Sequence, residues 1–437
     1  MKQIDKLLNW LDSATCNFMA VDTIRKELEE VGFLELKQQE KWEIIPGGKY
    51  YVIKNGSAIF PFVVGSAPAA ESGFRIISAH SDSPCFKIKP NAEIYGDGGV
   101  VSLNVEKYGG GILYTWFDRP LSISGRVLVK GDDALHPRTL LVDLRKPVCT
   151  IPHLAIHFNR TVNDGNKLSV QKDMKPVIGY FSADEIAEAK ENGGFVKMIV
   201  ARALNISSCD IIDYELNLYP FEKASKVGVN EEYFQSARID DLSMAFAGLE
   251  ALLCECDREA EATRVLAIFD NEETGSGTKQ GAASPVLRDI MERICMLQTG
   301  DKEDIYRAIA ASFMISADDA HAWHPNYNEK YDPTNHPVIG GGPVVKINAN
   351  CKYMTDGVGA AVFRTLCQEA GVNCQYFVNH SDVAGGSTLG NISSSQFDMQ
   401  GVDMGNAIWA MHSARETAGV SDQLDAIAVF RKFFEGR

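Results

Sequence analysis

Three short apolar runs in this 437-residue chain are each followed at once by a residue of a type that binds metals. The runs cover residues 74–79, 265–269 and 313–317, and the residues that follow them are His80, Asp270 and Asp318. In open α/β sheets, functional groups collect beyond the carboxyl ends of the strands. The pattern therefore predicts that the three runs are strands of such a sheet and that a metal site lies where they end.

His80 is followed two residues later by Asp82. A zinc-bound imidazole uses one ring nitrogen for the metal and donates its other N–H to an acceptor, so this pair can supply a ligand and its orienting carboxylate. A tripeptide this short also arises by chance. His153 and His157 have helical ligand spacing, but Leu154 stands where a zincin requires its glutamate, which excludes that class of metallopeptidase.

Three acidic pairs supply further candidate ligands, and they are Asp240-Asp241, Glu272-Glu273 and Asp318-Asp319. Because adjacent side chains diverge, one glutamate of a pair can bind a metal while the other faces a bound water. For the glutamates, the alternative is a solvated acidic loop. For the aspartates, the alternative is a role as helix N-caps. One more histidine, His412, follows an apolar run at 407–411.

Composition narrows the function classes. The formal net charge of −15 argues against nucleic acid and against an acidic membrane surface as partners. No stretch approaches 18 apolar residues, so no membrane span is expected. The ten cysteines contain no Cys-x-x-Cys, and the N-terminus lacks a signal-peptide pattern, so we expect a cytoplasmic protein with reduced thiols. The chain also lacks a P-loop and a dinucleotide-binding glycine motif.

Periodicity predicts the surrounding elements. Helices are expected at 15–31 and 242–253 and from about Ser421 to the C-terminal end, and a strand pair is expected at 50–64 around Asn55-Gly56. The segment from about 93 to 228 differs in texture, with β-branched and aromatic residues and glycine turns. It is predicted to be a β-rich insertion with one helix near 183–191.

Taken in order, these residues resemble the dizinc aminopeptidase I family of metallopeptidases, and within that family its aspartyl-specific members. The match spans nearly the whole chain. The segments that carry it are 80–85, 108–112, 115–119, 151–157, 239–241, 270–276, 315–318, 320–327, 342–346 and 410–413.

The resemblance implies an α/β fold, with an open mixed sheet flanked by helices, and an inserted β-rich dimerisation domain. The catalytic domain would comprise residues 1–92 and 229–437, and the dimerisation domain residues 93–228. It also implies two zinc ions about 3–4 Å apart. Co²⁺ or Mn²⁺ are expected as substitutes. The implied metal ligands are His80, Asp240, Glu273, Asp318 and His412, with Asp240 bridging the ions.

The resemblance implies catalytic roles for Glu272, as general base, and for Asp82 and His157. It implies that Lys346, His321 and Tyr353 bind the substrate. The expected substrates are short peptides with a free N-terminus, with Asp or Glu preferred as the first residue. The chain is expected to form dimers and a tetrahedral dodecamer.

Two alternatives remain open at this stage. The loop at 379–386 matches the family pattern only in part, which allows a neutral or basic preference with the same chemistry. A dizinc amidohydrolase or deacylase acting on small N-acyl compounds is the second alternative.

Overall fold

The computed structural model describes residues 2–436, which form two compact units. The first unit contains residues 2–82, 224–411 and 416–436, and the second contains Ser83–Lys223 together with His412–Arg415. The sequence placed the corresponding boundaries after residues 92 and 228. No helix within residues 2–436 has the length and hydropathy needed to cross a membrane.

The helices are, in chain order, α1 (Gln3–Ser13), α2 (Asn17–Glu30), α3 (Ala69–Ser72), α4 (Val170–Asp173), α5 (Ala183–Glu191), α6 (Phe195–Leu204), α7 (Ile239–Glu255), α8 (Val286–Gln298), α9 (Glu303–Ala310), α10 (Gly357–Ala370), α11 (Leu389–Ser394) and α12 (Val420–Glu435). The strands are β1 (Leu34–Glu35), β2 (Lys49–Lys54), β3 (Ala58–Val63), β4 (Phe74–His80), β5 (Cys85–Tyr95), β6 (Val100–Tyr108), β7 (Leu121–Val129), β8 (Arg138–Asp143), β9 (Val177–Tyr180), β10 (Ile211–Pro220), β11 (Ser225–Val227), β12 (Tyr233–Ser236), β13 (Thr263–Phe269), β14 (Phe313–Ala317), β15 (Ala320–His321), β16 (Val344–Ile347), β17 (Gln375–Val378), β18 (Gln400–Gly405), β19 (Ala407–Trp409) and β20 (Glu416–Gly419).

The first unit is built on a nine-stranded mixed sheet in the order β1-β2-β3-β13-β4-β14-β18-β16-β17. The four strands β13, β4, β14 and β18 run parallel to one another. Every residue of β13 and β14 is buried, as expected for central strands that are covered by helices on both faces. This architecture confirms the predicted α/β class with an open mixed sheet flanked by helices.

Two apolar clusters, one on each face of this sheet, form the core of the first unit. One contains buried residues of α1, α2, α7, α10 and α12, and the other contains buried residues of α8 and α9. A smaller five-stranded sheet, in the order β11-β12-β20-β19-β15, also belongs to this unit. The hairpin predicted around Asn55-Gly56 is present as β2 and β3, which pair antiparallel.

The second unit contains a six-stranded antiparallel sheet in the order β8-β7-β10-β5-β6-β9. The helix expected near 183–191 is α5, but the expectation of a single helix in this region was wrong. Helix α6 follows directly after Gly194 and buries Phe195, Val196, Val200 and Ala201. Its sequence begins with a short, nearly continuous apolar run, and periodicity cannot distinguish such a run from a buried strand.

Two glycines in the first turn of α10 allow a test of how closely this helix packs on the sheet. A Cβ at Gly359 would collide with the backbone carbonyl oxygen of Gly401 in β18, whereas a Cβ at Gly357 would meet nothing within 4 Å. We expect Gly359→Ala to lower the free energy of unfolding by about 1–3 kcal/mol, because a backbone atom cannot move aside cheaply. The matched control, Gly357→Ala, should leave stability unchanged or raise it by up to about 1 kcal/mol.

Urea unfolding of the two variants makes the comparison. Equal stabilities for Gly359→Ala and Gly357→Ala would contradict the close approach of α10 to β18.

Candidate metal centre

Three parallel strands bring candidate ligands to one edge of the sheet. Strand β4 lies between β13 and β14, and its last residue, His80, is paired with Phe269 at the end of β13. Asp318 follows directly after β14. At this edge one ligand atom from each of His80, Asp240, Asp241 and Asp318 lies within 4.8 Å of the others, and all four residues are buried. Strand order brings His80 and Asp318 together, because parallel neighbours end at the same edge, and the start of α7 contributes Asp240 and Asp241.

His80 presents one ring nitrogen to this cluster. Its Nδ1 lies 3.0 Å from the carbonyl oxygen of Asp82 and 3.4 Å from the carboxylate of the same residue. Its Nε2 lies 3.6 Å from Oδ1 of Asp240. The nearer partner of Nδ1 is thus the backbone carbonyl of Asp82. With its proton on Nδ1, the imidazole directs the Nε2 lone pair towards the cluster, as a metal ligand must.

The charges around His80 are unbalanced without a cation. Burial opposes the charged imidazolium, but Asp241, Asp240 and Asp82 outweigh burial and hold the pKa of His80 well above its ordinary value. Burial, together with the negative charges of Asp318, Asp319 and Asp240, raises the pKa of Asp241 well above its ordinary value, against the opposing effect of His80. Both shifts are responses to carboxylates that are crowded together away from water.

Asp82 fixes the turn that carries the two glutamates. Its Oδ1 accepts a hydrogen bond from the backbone N–H of Glu272 at 3.1 Å, and its Oδ2 accepts one from that of Glu273 at 3.2 Å. The turn is a single 3₁₀ segment, Glu272–Thr274, entered through Asn271 at φ 64°. Ligand atoms of His80, Glu272 and Glu273 also lie within 4.8 Å of one another.

Glu272 has an electrostatic environment suited to proton transfer. Burial, together with the negative charges of Asp318, Asp240 and Asp82, raises the pKa of Glu272 to about 8, against the opposing effect of His80. Asp270, one residue beyond β13, also has its pKa raised, to about 6, by burial and by Asp82. These are carboxyl groups that titrate near neutral pH.

Asp319, on the other side of Asp318, is held by neutral partners. Its carboxylate accepts hydrogen bonds from the Ser243 hydroxyl at 2.8 Å and from the backbone N–H of Asn406 at 3.2 Å. Burial and the charges of Asp240, Asp318 and Glu416 raise its pKa well above the ordinary value.

The donor set fits zinc. Imidazole nitrogen and carboxylate oxygen are ordinary zinc ligands. The Oδ1 atom of Asp241 is buried and has no hydrogen-bond partner within the described part of the chain. An acceptor oxygen in that position among other carboxylates suits a cation, because a buried polar atom left without a partner is costly.

Of the three proposed substrate-binding residues, two lie beside the cluster. Lys346 in β16 is buried, and its Nζ lies 3.4 Å from Oδ1 of Asp318 and 5.8 Å from the ring centroid of Tyr353. Burial opposes its charge, but Asp318 and its neighbours raise the pKa of Lys346 above the ordinary value. His321 ends β15 and is exposed, with its ring edge-on to Phe377 at 5.7 Å between centroids.

Two candidate residues belong to the second unit. His157 is exposed and lies in an irregular segment between β8 and β9. His412 has a positive φ of 67°, and its Nδ1 lies 3.4 Å from the carbonyl oxygen of Gly110 in the same unit. The roles assigned to both histidines stay predictions.

The structure also adds residues that sequence reasoning did not assign. The acidic pairs were a signal for Asp241 and Asp319, but the sequence left both residues open as candidate ligands or helix N-caps and assigned neither a role. Glu416 is buried and accepts hydrogen bonds from the backbone at the start of α7. Nothing in its sequence context indicated this contact, because 176 residues separate Glu416 from Asp240.

The chain is similar to known proteins over nearly its whole length. The model of the "Aminopeptidase I zinc metalloprotease (M18)" family matches residues 10–434. A "Probable M18 family aminopeptidase 2" of Clostridium novyi is 46% identical over 434 residues, which are 99% of each chain. A protein of the same description from Pseudomonas aeruginosa is 39% identical over 428 residues, covering 98% of this chain and 97% of the relative.

Solved structures are similar as well. A chain in the cryo-EM structure of the Ape4 and Nbr1 complex has a TM-score of 0.94 at 34% identity, with 98% of this chain and 85% of that chain covered. A chain of the mApe1 dodecamer from S. cerevisiae has a TM-score of 0.87 at 28% identity, with 99% and 96% covered.

The fold and the buried cluster thus define a zinc metallopeptidase of the aminopeptidase class. The chain belongs to the aminopeptidase I zinc metalloprotease family, M18, as the sequence motifs had predicted.

The raised pKa of Glu272 predicts how the zinc-free protein responds to pH. Between the ordinary glutamate value of 4.5 and about 8, the folded protein keeps a proton on Glu272 that the unfolded chain has released. The free energy of unfolding of zinc-free protein should therefore fall as pH rises across this window. Glu272→Gln removes this titratable carboxyl group, so the free energy of unfolding of the variant should decline less steeply with pH.

Urea unfolding of chelator-treated protein at pH 5.5, 7 and 8 measures the effect. Stability that rises with pH over this range, or identical slopes for wild type and Glu272→Gln, would contradict the environment assigned to Glu272.

Proposed function

We propose that this aminopeptidase uses two zinc ions to remove single residues from the N-terminus of short peptides, with Asp or Glu preferred as the first residue. The observation that carries the proposal is the buried cluster at the carboxyl ends of β4 and β14, beside a glutamate whose pKa is near neutrality. A buried set of ligands and a separate proton acceptor are the two parts that metal-assisted hydrolysis requires.

Five residues would hold the two ions: Asp240 would be the ligand shared by both, His80 and Asp318 would be the further ligands of one ion, and Glu273 and His412 those of the other. The three carboxylates in this set carry three negative charges against four positive charges on two zinc ions. Burial and the crowding of carboxylates together raise the pKa of Asp241. This crowding supports two cations, since one ion neutralises only part of the negative charge. Co²⁺ and Mn²⁺ also accept imidazole and carboxylate ligands and are expected to substitute for zinc.

When bound, zinc supplies a water of lowered pKa and polarises the scissile carbonyl. Glu272 would accept a proton from the attacking water and later deliver it to the leaving amine. Its pKa of about 8 in the absence of metal leaves room for nearby cations to lower it towards neutrality, where a general base works best. Asp82 orients Glu272 through its hydrogen bond to the backbone N–H of that residue.

The remaining carboxylates select for a free N-terminus. The α-ammonium of a peptide is attracted to a buried acidic cluster, whereas an acylated N-terminus has no charge to pair. This preference distinguishes an aminopeptidase from a deacylase that acts on N-acyl compounds.

Acidic specificity rests on Lys346, a buried ammonium group beside the cluster. A carboxylate side chain that enters a buried pocket needs a cation, and Lys346, with Tyr353 nearby and His321 as a further donor, would provide the contact. The Nζ atom of Lys346 already lies 3.4 Å from Asp318, so a substrate carboxylate would have to share this positive charge with Asp318. A preference for neutral first residues is therefore the competing hypothesis.

We further propose that the second unit mediates dimer formation and that dimers assemble into a dodecamer, the state named for mApe1 of S. cerevisiae. Leu154, Ile156 and Phe158 are 57%, 52% and 81% exposed around His157. Neighbouring exposed apolar side chains are typical of a surface that a partner covers. In a dimer, His157 would donate a hydrogen bond to the scissile carbonyl oxygen of the neighbouring subunit.

The pattern of free cysteines supports a cytoplasmic location.

Glu272→Gln tests the central role. The variant should keep its zinc and lose about 10²–10⁴-fold in turnover, because only the proton acceptor is removed. Zinc content and hydrolysis of an unblocked dipeptide and its N-acetyl form are measured on the same samples. The wild type should cleave only the unblocked form.

Loss of zinc from Glu272→Gln would show that Glu272 is a ligand and that Glu273 has been misassigned. Cleavage of the N-acetyl form by the wild type would favour the deacylase alternative.

Lys346→Met tests acidic specificity. We expect kcat/KM for Asp and Glu substrates to fall about 10–150-fold, the value of one charge-assisted hydrogen bond, while Ala and Leu substrates are spared. Zinc content serves as the control, because Lys346 also contacts Asp318. If the wild-type enzyme prefers substrates that begin with Leu, Lys or Arg, the proposed acidic preference is wrong, and only the aminopeptidase assignment stands.

A further inference from the structure

The buried carboxylate of Glu416 clamps the backbone that precedes and carries Asp240. Glu416 is the first residue of β20 and is 2% exposed. Its Oε2 atom accepts hydrogen bonds from the backbone N–H groups of Ile239 at 2.7 Å and Asp240 at 3.1 Å. One carboxylate oxygen thus binds two consecutive amides at the start of α7.

Sheet register explains how Glu416 reaches this position. Strands β12 and β20 pair antiparallel with Ser236 opposite Glu416, so the chain leaving β12 passes directly in front of the Glu416 side chain. The chain then turns at Arg238, which has a φ of 62° and provides no side-chain cap to α7. Asp240 itself has non-helical backbone angles, φ −78° and ψ 109°, so the entry to α7 is irregular and its amides need acceptors from outside the helix. Glu416 supplies that acceptor from a distant segment.

We infer that Glu416 is a positioning residue that sets the zinc affinity of the centre through Asp240. The inference rests on the proposed function, because it requires Asp240 to be a zinc ligand. The position of a ligand side chain depends on the position of its own backbone, and Glu416 accepts a hydrogen bond from the backbone N–H of Asp240. When a group that orients a metal ligand without binding the metal itself is removed, metal affinity commonly falls by about 10–100-fold.

The chain offers a matched control in Asp422. Its carboxylate is also buried and accepts two backbone hydrogen bonds, from Gly340 at 2.7 Å and Gly342 at 2.9 Å. These amides belong to a loop that carries none of the candidate ligands. Removal of Asp422 therefore costs the protein a comparable clamp without altering the backbone of a ligand.

The experiment compares Glu416→Ala, Glu416→Gln, Asp422→Ala, Asp422→Asn and Asp240→Ala. Zinc affinity is measured by competition with a chromogenic chelator, and urea unfolding is measured in parallel. Glu416→Ala should weaken zinc binding about 10–100-fold. Glu416→Gln should have a smaller effect, because a neutral amide oxygen can accept both hydrogen bonds without the charge. The Asp422 variants should lose stability and bind zinc as the wild type does.

Zinc affinity in Glu416→Ala equal to that in Asp422→Ala would overturn the inference and leave Glu416 with a role in stability alone. If Glu416→Ala does not fold, Glu416→Gln and Asp422→Asn decide, with the absorption spectrum of the cobalt-loaded proteins as a second readout. A spectrum and affinity unchanged in Glu416→Gln would then overturn it. Full zinc binding by Asp240→Ala would instead contradict the ligand assignment in the proposed function, so the two failures are distinguishable.

Discussion

Carboxylates that are buried within a few ångströms of one another repel, and the centre of this protein is organised around that repulsion. Asp240, Asp241 and Asp318 share a buried space with a single imidazole, His80. The raised pKa of Asp241 reflects how poorly this arrangement tolerates charge without a cation. Multivalent cations would remove this repulsion, and the proposed function assigns two of these carboxylates, Asp240 and Asp318, as the ligands of such cations. The same buried carboxylates therefore determine both the proposed chemistry of the enzyme and the electrostatic constraint on its fold.

The fold holds these groups together by fixing their backbones. Parallel strands β4 and β14 end side by side, which brings His80 and Asp318 to the same edge. The remaining segments are held by carboxylates that accept backbone hydrogen bonds. Asp82 holds the amides of the glutamate turn, and Glu416 holds the amides at the start of α7. These two carboxylates restrict the backbone of the segments that carry the candidate ligands, and they also add negative charge around the cluster.

Much of this arrangement could be predicted from the sequence, because it depends on local pattern. Apolar runs that end in His80 or Asp318 indicated buried strands and the edge at which they finish, and helical periodicity indicated α2, α7 and α12. Strand pairing brings these ends together by a general rule of α/β sheets, so no long-range information was needed. The family assignment followed from motifs spread along the chain.

Other features depend on contacts between distant segments that carry no local signal. Helix α6 was missed because a short apolar run fits a strand as well as a helix. The clamp between Glu416 and Asp240 and the ion pair between Lys346 and Asp318 join residues that are far apart in sequence. Their existence follows from strand register and from the packing of buried charges, which only the folded structure specifies.

The number of zinc ions tests the account most directly. Zinc titrated into chelator-treated wild-type protein, followed by calorimetry at pH 7.5, reports the stoichiometry per chain. The account predicts two equivalents, because one divalent cation leaves part of the negative charge of Asp240, Glu273 and Asp318 uncompensated. Saturation at a single equivalent, with full peptidase activity restored at that point, would contradict it.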